Sequence, residues 1–255
     1  MLKRIFVEAM PIEPLRVIEI IRRIPDCATE PFLCKCDDGE LYVVKGMPSV
    51  PRVQLIAEWI SAHLGKELGL SLPDFGMAYV DSALTQYVPE WRNALNEGLA
   101  FATKFIPGVA PITFSQAHHN VDVQAQKIIY LFDRWINNSD RSLSPNGGNV
   151  NIIFDYRNNR YYLIDHNLAF DQNDDEASFD YHVYAPRHRK WVFDIVDRPH
   201  CEDEIIRTKG TLPVCIGQIP EDWLPESEEA REQCFSQIAQ LLNRNETEVF
   251  WSNIK

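Results

Sequence analysis

Residues 138–170 constrain the fold most, because a polar stretch there is followed by two short apolar runs and a second acid. The polar stretch "NSDRSLSPNGGNVN" ends at Asn151, and the runs "IIF" and "RYYLI" flank the pair Asn158–Asn159. β-Branched and aromatic residues favour strands, and Asn tolerates the positive φ of a tight turn, so the segment predicts a β-hairpin with a two-residue turn. The predicted register pairs Ile153 with Ile164, Ile152 with Asp165, and Asn151 with His166.

This hairpin would bring two aspartates and an amide together. It returns Asp165 to the end that carries Asn151 and, just upstream, Asp140. Carboxylate and amide oxygens suit a hard cation, and Mg²⁺ prefers one or two carboxylates with waters and phosphate oxygens. Without a cation the two acids would repel each other and their pKa values would rise. The simpler alternative is a turn-rich loop in which Asp140 is a cap and Asp165 is exposed at a strand end.

Hydrophobic periodicity predicts the elements around this segment. Residues 13–23 predict a short amphipathic helix with Leu15, Ile18, Ile20 and Ile21 mostly on one side. "FLCKC" and "ELYVVK" around "DDG" predict a second hairpin, and residues 53–69 predict a long helix that Gly69 ends. Further strands are expected in 76–88 and early in 99–111, and further helices over 123–136 and 225–245.

The order of these elements predicts an α+β fold with segregated strands and helices. The first part is rich in strands, and the second part is rich in helices and carries one hairpin. The Pro- and Gly-containing connector in "FIPGVAP" is the expected boundary, which divides the chain into residues 1–107 and 108–255.

Composition excludes several classes of function. The net charge is −12 and the Lys and Arg residues are scattered, which disfavours nucleic acid as the main ligand. No apolar run is long enough to cross a bilayer, and the first residues do not resemble a signal peptide, so a cytoplasmic location is expected. Six cysteines lack the spacing of a zinc site and are expected to be structural.

The segments "NSDR", "GNVNIIF" and "LIDHNLAF" resemble the catalytic and metal-binding segments of the protein-kinase-like fold. The chain lacks the H-R-D and D-F-G triplets, and it is more similar to the HipA-like kinase family, with some similarity to phosphatidylinositol 4-kinases. The resemblance runs across most of the chain. It implies a two-lobed fold, with a strand-rich nucleotide-binding lobe over 1–107 and a helix-rich catalytic lobe over 108–255.

The resemblance also implies roles in the second lobe. Asp140 would be the catalytic base, and Asp165 would hold Mg²⁺ against the phosphates of ATP. Asn151 is the preferred amide ligand because an apolar strand follows it, and Asn149 and Asn146 are alternatives because "SLSPNGG" lengthens the loop. Arg141 would either touch phosphate or neutralise Asp140.

In the first lobe, Lys45 resembles the lysine that contacts the α- and β-phosphates, and Glu58 resembles its ion-pair partner. The loop that would cover the phosphates contains no glycine, so the backbone N–H groups of Ala28, Thr29 and Glu30 are its expected donors. Phe105 and Ile106 lie where the adenine would bond to the backbone.

The expected function is therefore an ATP- and Mg²⁺-dependent kinase that phosphorylates a hydroxyl, with a protein Ser or Thr as the favoured acceptor. A lipid headgroup and a small metabolite stay open as acceptors. The alternative is a kinase-like module that binds nucleotide or a partner and has little or no activity. A metal-dependent hydrolase is disfavoured because the chain has no HExxH motif. The acidic run 171–180, in the place of an activation segment, predicts a solvated loop in which Ser178 is a candidate phosphate acceptor.

Overall fold

A closed β-barrel is built from the first five strands of the chain. The computed structural model describes residues 13–25, 29–144, 147–172 and 176–254. The barrel strands are β1 Leu15–Arg23, β2 Phe32–Cys36, β3 Leu41–Lys45, β4 Phe75–Val80 and β5 Gly98–Lys104, in the spatial order β1-β2-β3-β5-β4. Alternate side chains point inward and form a core that includes Phe32, Cys34, Val44 and Ala102.

The helix expected over residues 13–23 is wrong, because these residues form β1. The strand carries bulges between Val17 and Glu19 and between Ile20 and Arg22. A bulge inserts an extra residue, so the buried positions Val17 and Ile20 are three residues apart instead of two. That spacing imitates the period of a helix, whereas the β-branched composition of "VIEII" favours the strand.

The second hairpin and the long helix are confirmed. β2 and β3 are antiparallel, with Lys35 opposite Leu41 and Gly39 at φ +86° in the turn. Helix α1 Arg52–Glu67 is followed by Gly69 at φ +82°, whose N–H donates to the Lys66 carbonyl.

The remaining helices follow in chain order. They are α2 Pro89–Arg92, α3 Phe114–Asn120, α4 Val123–Trp135, α5 Asp197–Lys209, α6 Leu212–Gly217, α7 Glu228–Leu242 and α8 Glu248–Ser252. The side chains of Asp122 and Ser227 cap α4 and α7, and both helices lie where periodicity predicted them. Within the described residues, no helix is both long and apolar enough to cross a membrane.

The hairpin that returns to Asp165 is confirmed, but its register differs from the prediction. Strands β6 Ala110–Pro111, β9 Ile152–Asp155 and β10 Arg160–Leu163 form one sheet in the order β10-β9-β6. Ile153 pairs with Tyr162, not Ile164, and Ile152 pairs with Leu163, not Asp165. The Asp155 carboxylate accepts bonds from the Arg157 and Asn158 N–H groups and so holds a four-residue turn instead of a two-residue one. The register shift of two residues keeps every side chain on its predicted face.

A further small hairpin lies just before this sheet. Strand β7 Ser142–Ser144 pairs with β8 Gly147–Asn149, so the helix-rich part carries two hairpins where one was expected. The described residues of the lengthened loop "SLSPNGG", 142–144 and 147–148, therefore lie in a β-arm between Asp140 and Asn151.

The chain forms two compact units. The first comprises Met1–Ile60, Pro73–Pro107 and Pro213–Pro225, and the second comprises Ser61–Leu72, Gly108–Leu212 and Glu226–Lys255. In the first unit Trp59 donates from Nε1 to the Cys215 carbonyl, and Trp223 donates to the Leu99 carbonyl, which binds residues 213–225 to the barrel unit. The functional assignment of 1–107 and 108–255 as nucleotide-binding and catalytic lobes stays a prediction.

Five cysteine thiols of the described residues are free. Cys34, Cys36, Cys201 and Cys215 are buried and Cys234 is half-buried, whereas Cys27 lies outside the described residues. Burial, followed by the nearby Cys36, raises the pKa of Cys34 to about 12, so this thiol stays protonated.

Candidate active site

Lys45 and Glu58 form a buried ion pair in the first unit. Lys45 ends β3, a strand held between β2 and β5, and Glu58 lies in the middle of α1. Lys45 Nζ contacts Glu58 Oε1, and the two side chains are only 12% and 4% exposed. A solvated surface lysine or glutamate would not be enclosed in this way, because an isolated buried charge is costly. The pair implied by the family resemblance is therefore present.

Asp140 and Asn151 meet in the second unit. Asp140 lies five residues beyond the end of α4, and Asn151 immediately precedes β9. Asn151 Nδ2 donates to Asp140 Oδ2 at 2.7 Å. This bond fixes the orientation of the carboxylate and does not consume the Asn151 Oδ1 atom.

Asp165 lies close enough to change the acidity of Asp140. The Ile164 N–H donates to the Asn151 carbonyl at 3.1 Å, which places the following residue, Asp165, beside the same loop. Burial raises the pKa of Asp140, and the negative charge of Asp165 raises it further, against the opposing effects of Asn151 and Arg141. Asp140 therefore bonds to Asn151 and is influenced by the charge of Asp165, and the roles of these residues as base and metal ligand stay predictions.

The same residues fit the requirements of a magnesium ion. Among the described residues there is no cluster of three or more His, Cys, Asp or Glu side chains that could hold a metal. Mg²⁺ needs few protein ligands, since it retains waters and binds phosphate oxygens. The oxygen atoms of Asp165 and Asn151 suit such a cation, and a bound cation would reduce the repulsion between the Asp165 and Asp140 carboxylates.

The structure favours Asn151 over Asn149 as the amide ligand. The exposed Asn149 uses its Oδ1 to accept a bond from the Asn151 N–H at 3.1 Å, whereas Asn151 is buried and contacts Asp140. Asn146, the third alternative, lies outside the described residues. Asn151 and Asp165 have φ +48° and +63°, a left-handed conformation that Asn and Asp tolerate better than other side chains.

Arg141 does not have the position expected for a phosphate-binding residue. Its guanidinium is fully buried and forms an ion pair with Asp133 of α4, with Nε 2.7 Å from Oδ2. The Arg141 charge lowers the pKa of Asp140, but the ion-pair partner of the guanidinium is Asp133 and not Asp140.

Sequence reasoning missed Asp133 and its partner His182. A signal was present, because "IIYLFDRWI" places an acid among large apolar residues, and acids are almost never fully buried without a partner. The spacing of His182 from Asp133 in the sequence gives no comparable indication.

The residues expected at the adenine and phosphate positions are partly engaged in the fold. The Phe105 N–H donates to the Leu41 carbonyl at 2.8 Å, so it cannot serve as the donor to adenine, and the Phe105 carbonyl and Ile106 are left as candidates. Thr29 is buried, and Glu30 has φ +39° and an ion pair with Arg23 at 2.7 Å. Ala28 lies outside the described residues.

The acidic run 171–180 is only partly a solvated loop. Residues 173–175 lie outside the described residues, and Glu176–Tyr181 forms a 3₁₀ helix. Phe179 is buried, with the Arg134 guanidinium carbon 4.4 Å from its ring centroid. The buried Phe179 ring anchors this 3₁₀ helix to the rest of the fold. Ser178, the candidate phosphate acceptor beside it, is half-buried.

Two comparisons with known structures and families extend these observations. The chain is similar to the Helicobacter pylori proinflammatory kinase CtkA, with a TM-score of 0.56 and 12% identity over 95% of this chain and 97% of that chain. The Golgi casein kinase matches with a TM-score of 0.40 and 13% identity over 96% of this chain and 73% of that chain, a score too low to argue from. No curated protein sequence matched the chain.

The likeness to CtkA over almost the whole of both chains confirms the protein-kinase-like fold, with its strand-rich N-terminal and helix-rich C-terminal parts. A family model described as HipA-like kinase matches residues 17–254. The chain belongs to the HipA-like kinase family.

Proposed function

We propose that this protein is an ATP- and Mg²⁺-dependent kinase that transfers the γ-phosphoryl group to a hydroxyl. One observation carries the proposal: the half-buried carboxylate of Asp140 is hydrogen-bonded to Asn151 and electrostatically coupled to Asp165. Membership of a kinase family supports the reaction class. A partner-binding module has no need of a base held in this way.

Asp140 is the base in this proposal. Its carboxylate accepts the proton of the acceptor hydroxyl as the oxygen attacks phosphorus. Burial and the Asp165 charge make it more basic than an exposed aspartate, which improves proton transfer near neutral pH. The Asn151 amide holds the accepting oxygen in place.

The phosphate charge is met by three residues. Asp165 and the Asn151 Oδ1 atom would hold Mg²⁺, which when bound neutralises charge on the β- and γ-phosphate oxygens. Lys45 would contact the α- and β-phosphates, and Glu58 keeps its ammonium group oriented and protonated. The Thr29 backbone N–H and the Phe105–Ile106 backbone are the proposed contacts for phosphate and adenine.

A protein Ser or Thr is the proposed acceptor, on the basis of the family resemblance. The test is transfer from γ-labelled ATP with Mg²⁺, measured separately on a Ser/Thr peptide mixture, on phosphoinositide vesicles and on the protein itself. Incorporation into peptide or protein supports the proposed acceptor, whereas label found only in lipid would contradict it.

The role of Asp140 is tested with a matched pair of variants. Asp140→Ala is expected to reduce transfer by at least 1,000-fold, on the order expected for losing a general base with its orientation. Asp203→Ala changes an exposed acid of α5 in the same unit and is expected to retain wild-type activity. Undiminished transfer by Asp140→Ala would remove this residue from the mechanism.

The second candidate function is a nucleotide-binding module without transfer activity. The absence of glycine from the sequence between β1 and β2 favours it. Mg·ATP binding by the wild type, together with no transfer to any of the three acceptor classes, would support this candidate over the kinase.

A further inference from the structure

Arg141 belongs to the segment of the candidate base Asp140, and its buried guanidinium contacts the segments of Asn151 and Asp165. Arg141 directly follows Asp140 in the chain. Its Nη1 atom donates to the Asn151 carbonyl at 2.5 Å, and its Nη2 atom lies 3.0 Å from Nε2 of His166, the residue after Asp165. Its side chain therefore touches Asn151 and His166, the neighbour of Asp165, while its backbone is bonded directly to Asp140.

Asp133 holds the other side of this guanidinium. Arg141 Nε and Nη2 lie 2.7 and 3.4 Å from the two Asp133 oxygens, which is the fork geometry that an arginine and a carboxylate form. Asn138 Nδ2 donates to Asp133 Oδ1 at 2.9 Å, and His182 Nε2 lies 3.0 Å from Oδ2. Both charged side chains are 0% exposed.

The proton positions of the two histidines follow from their partners. Arginine can only donate, so His166 Nε2 accepts and the ring proton of the neutral imidazole lies on Nδ1. His182 Nδ1 accepts from the Tyr184 N–H at 3.1 Å, so its Nε2 carries the proton that is donated to Asp133. Arg141 and Asp133 are then the two charges of the cluster, and they balance.

The same cluster extends to the segment after Asp165. The Val183 N–H donates to the Arg141 carbonyl at 2.9 Å, and Ser142 forms an antiparallel bridge with His182. The backbone of the 182–183 segment is thus bonded to the loop of Asp140, and the His182 side chain is bonded to Asp133, the partner of Arg141.

A buried ion pair is a weak source of stability, because the cost of desolvation offsets the attraction between the charges. The pair does impose a fixed geometry on everything it contacts, and a misplacement of about 1 Å at a reacting group can reduce a rate on the order of 100-fold. The Arg141 side chain bonds to both the Asn151 and the Asp165 segments, while its backbone is continuous with Asp140.

We propose that Arg141, held by Asp133, is a positioning residue that fixes Asp140, Asn151 and Asp165 relative to one another. The inference rests on the proposed kinase function for its consequence for rate, but its geometric part can be tested without it. Through His182 and Val183, the Arg141–Asp133 pair also positions the segment that follows Asp165.

The experiment compares Arg141→Lys, Asp133→Asn and the double variant with a control on the same helix. Lysine keeps the charge and loses the fork of donors, and asparagine keeps the shape and loses the charge. The control is Lys127→Met, which breaks the ion pair between Lys127 of α4 and Asp197. The side chains of Lys127 and Asp197 are 14% and 11% exposed, and this pair involves none of the candidate site residues.

The first readout is kcat per folded molecule at saturating Mg·ATP. Each site variant is expected to lose on the order of 100-fold, and the control is expected to stay within about twofold. Because the two residues act as a unit, the double variant is expected to be no slower than the slower single variant. The proposal would be overturned if kcat per folded molecule is unchanged in the site variants. It would also be overturned if the loss of kcat in the double variant equals the product of the losses in the two single variants.

The second readout is independent of catalysis. The Ile164 N–H bonds to the Asn151 carbonyl and the Val183 N–H bonds to the Arg141 carbonyl, so their hydrogen exchange reports the positions of both segments. Exchange at these two amides is expected to accelerate at least tenfold in Arg141→Lys and to stay unchanged in Lys127→Met. Unchanged exchange in Arg141→Lys overturns the positioning role even if the wild type transfers no phosphate. If Arg141→Lys does not fold, Asp133→Asn provides the same comparison.

Discussion

The acidity of the Asp140 carboxylate depends on its burial and on its charged and polar neighbours. Burial and the Asp165 charge raise its pKa, whereas the Asn151 hydrogen bond and the Arg141 charge lower it. A base acts in its deprotonated form, so any change that raises the pKa of Asp140 moves the acidic limb of the rate profile to higher pH.

Replacement of Asn151 should therefore change both the rate and its pH dependence. Asn151→Ala removes the bond that lowers the pKa of Asp140, so the acidic limb of kcat/KM is expected to move to higher pH. A loss in kcat of about 100-fold is expected as well, because the carboxylate is no longer oriented. The measurement is kcat/KM between pH 5 and pH 9 at saturating Mg²⁺.

Asn149→Ala is the matched control for this prediction. Asn149 accepts a bond from the Asn151 N–H and is exposed, so we expect its loss to reduce kcat less than tenfold and to leave the acidic limb in place. If Asn149→Ala is the more damaging change, Asn149 and not Asn151 is the amide ligand.

At the scale of single elements, β1 shows how a local irregularity misleads a periodicity argument. The bulges space its buried residues three apart, so the pattern resembles one face of a helix. The predicted helix placed Leu15, Ile18, Ile20 and Ile21 mostly on one side. In the strand, Ile20 is 8% exposed and Ile18 is 52% exposed.

Two substitutions in β1 distinguish these structures. Ile20→Ala is expected to lower the free energy of unfolding by about 2–4 kcal/mol, because it leaves a cavity in the barrel core. Ile18→Ala is expected to change it by less than about 0.5 kcal/mol. Urea denaturation measures both, and a larger effect of Ile18→Ala would contradict the barrel.

The β7–β8 arm is the element that connects Asp140 to Asn151. Gly148 has φ +133°, and a Cβ atom there would overlap the Ser142 carbonyl oxygen, which is backbone and cannot move aside cheaply. Gly148→Ala is expected to displace the arm and lower kcat per folded molecule at least tenfold. The measurement is transfer from labelled ATP at a temperature where the variant is folded.

Gly39→Ala tests whether a strained glycine alone produces this effect. Gly39 also has a positive φ, of +86°, but a Cβ atom there would meet nothing within 4 Å. It is expected to cost about 1 kcal/mol in stability and to leave kcat unchanged. Equal losses of kcat in Gly148→Ala and Gly39→Ala would contradict the role of the β7–β8 arm in activity.

Much of the fold was predictable from local pattern. The β2–β3 hairpin, α1, α4, α7 and the return of Asp165 toward Asn151 were each signalled by turn residues, caps or apolar periodicity. The register of the β9–β10 hairpin was not, because it depends on the Asp155 side chain bonding to its own turn. The Arg141–Asp133–His182 cluster was also not predictable, since it joins residues up to 49 positions apart through burial.

For the whole molecule, one buried and three half-buried histidines make stability depend on pH. Burial, and then the nearby Lys66, lowers the pKa of His63 to about 4, and burial likewise lowers the pKa values of His118, His182 and His188. Below about pH 6.5 the unfolded chain binds protons that these folded imidazoles do not, so stability falls as the pH decreases from 6.5 toward 4.

His63→Gln is expected to flatten this dependence. Between pH 7.0 and pH 4.5 the wild-type His63 contributes on the order of 1–2 kcal/mol to the loss, after allowance for its partial exposure. Urea unfolding at pH 7.0, 5.5 and 4.5 measures the effect. A wild type and a variant with parallel stability losses would show that His63 does not titrate as described.

The central claim is that Asp165 binds Mg²⁺ together with ATP, and the most direct test is thermal unfolding of the wild type and Asp165→Asn. Ligand at 100 times its Kd adds about 2.7 kcal/mol of stability, which corresponds to roughly 5–10 °C for a chain of this size. The account predicts that ATP with Mg²⁺ raises the unfolding midpoint of the wild type by this amount, and that removal of Mg²⁺ or the Asp165→Asn change abolishes the rise. No rise in the wild type, or an equal rise in Asp165→Asn, would contradict it.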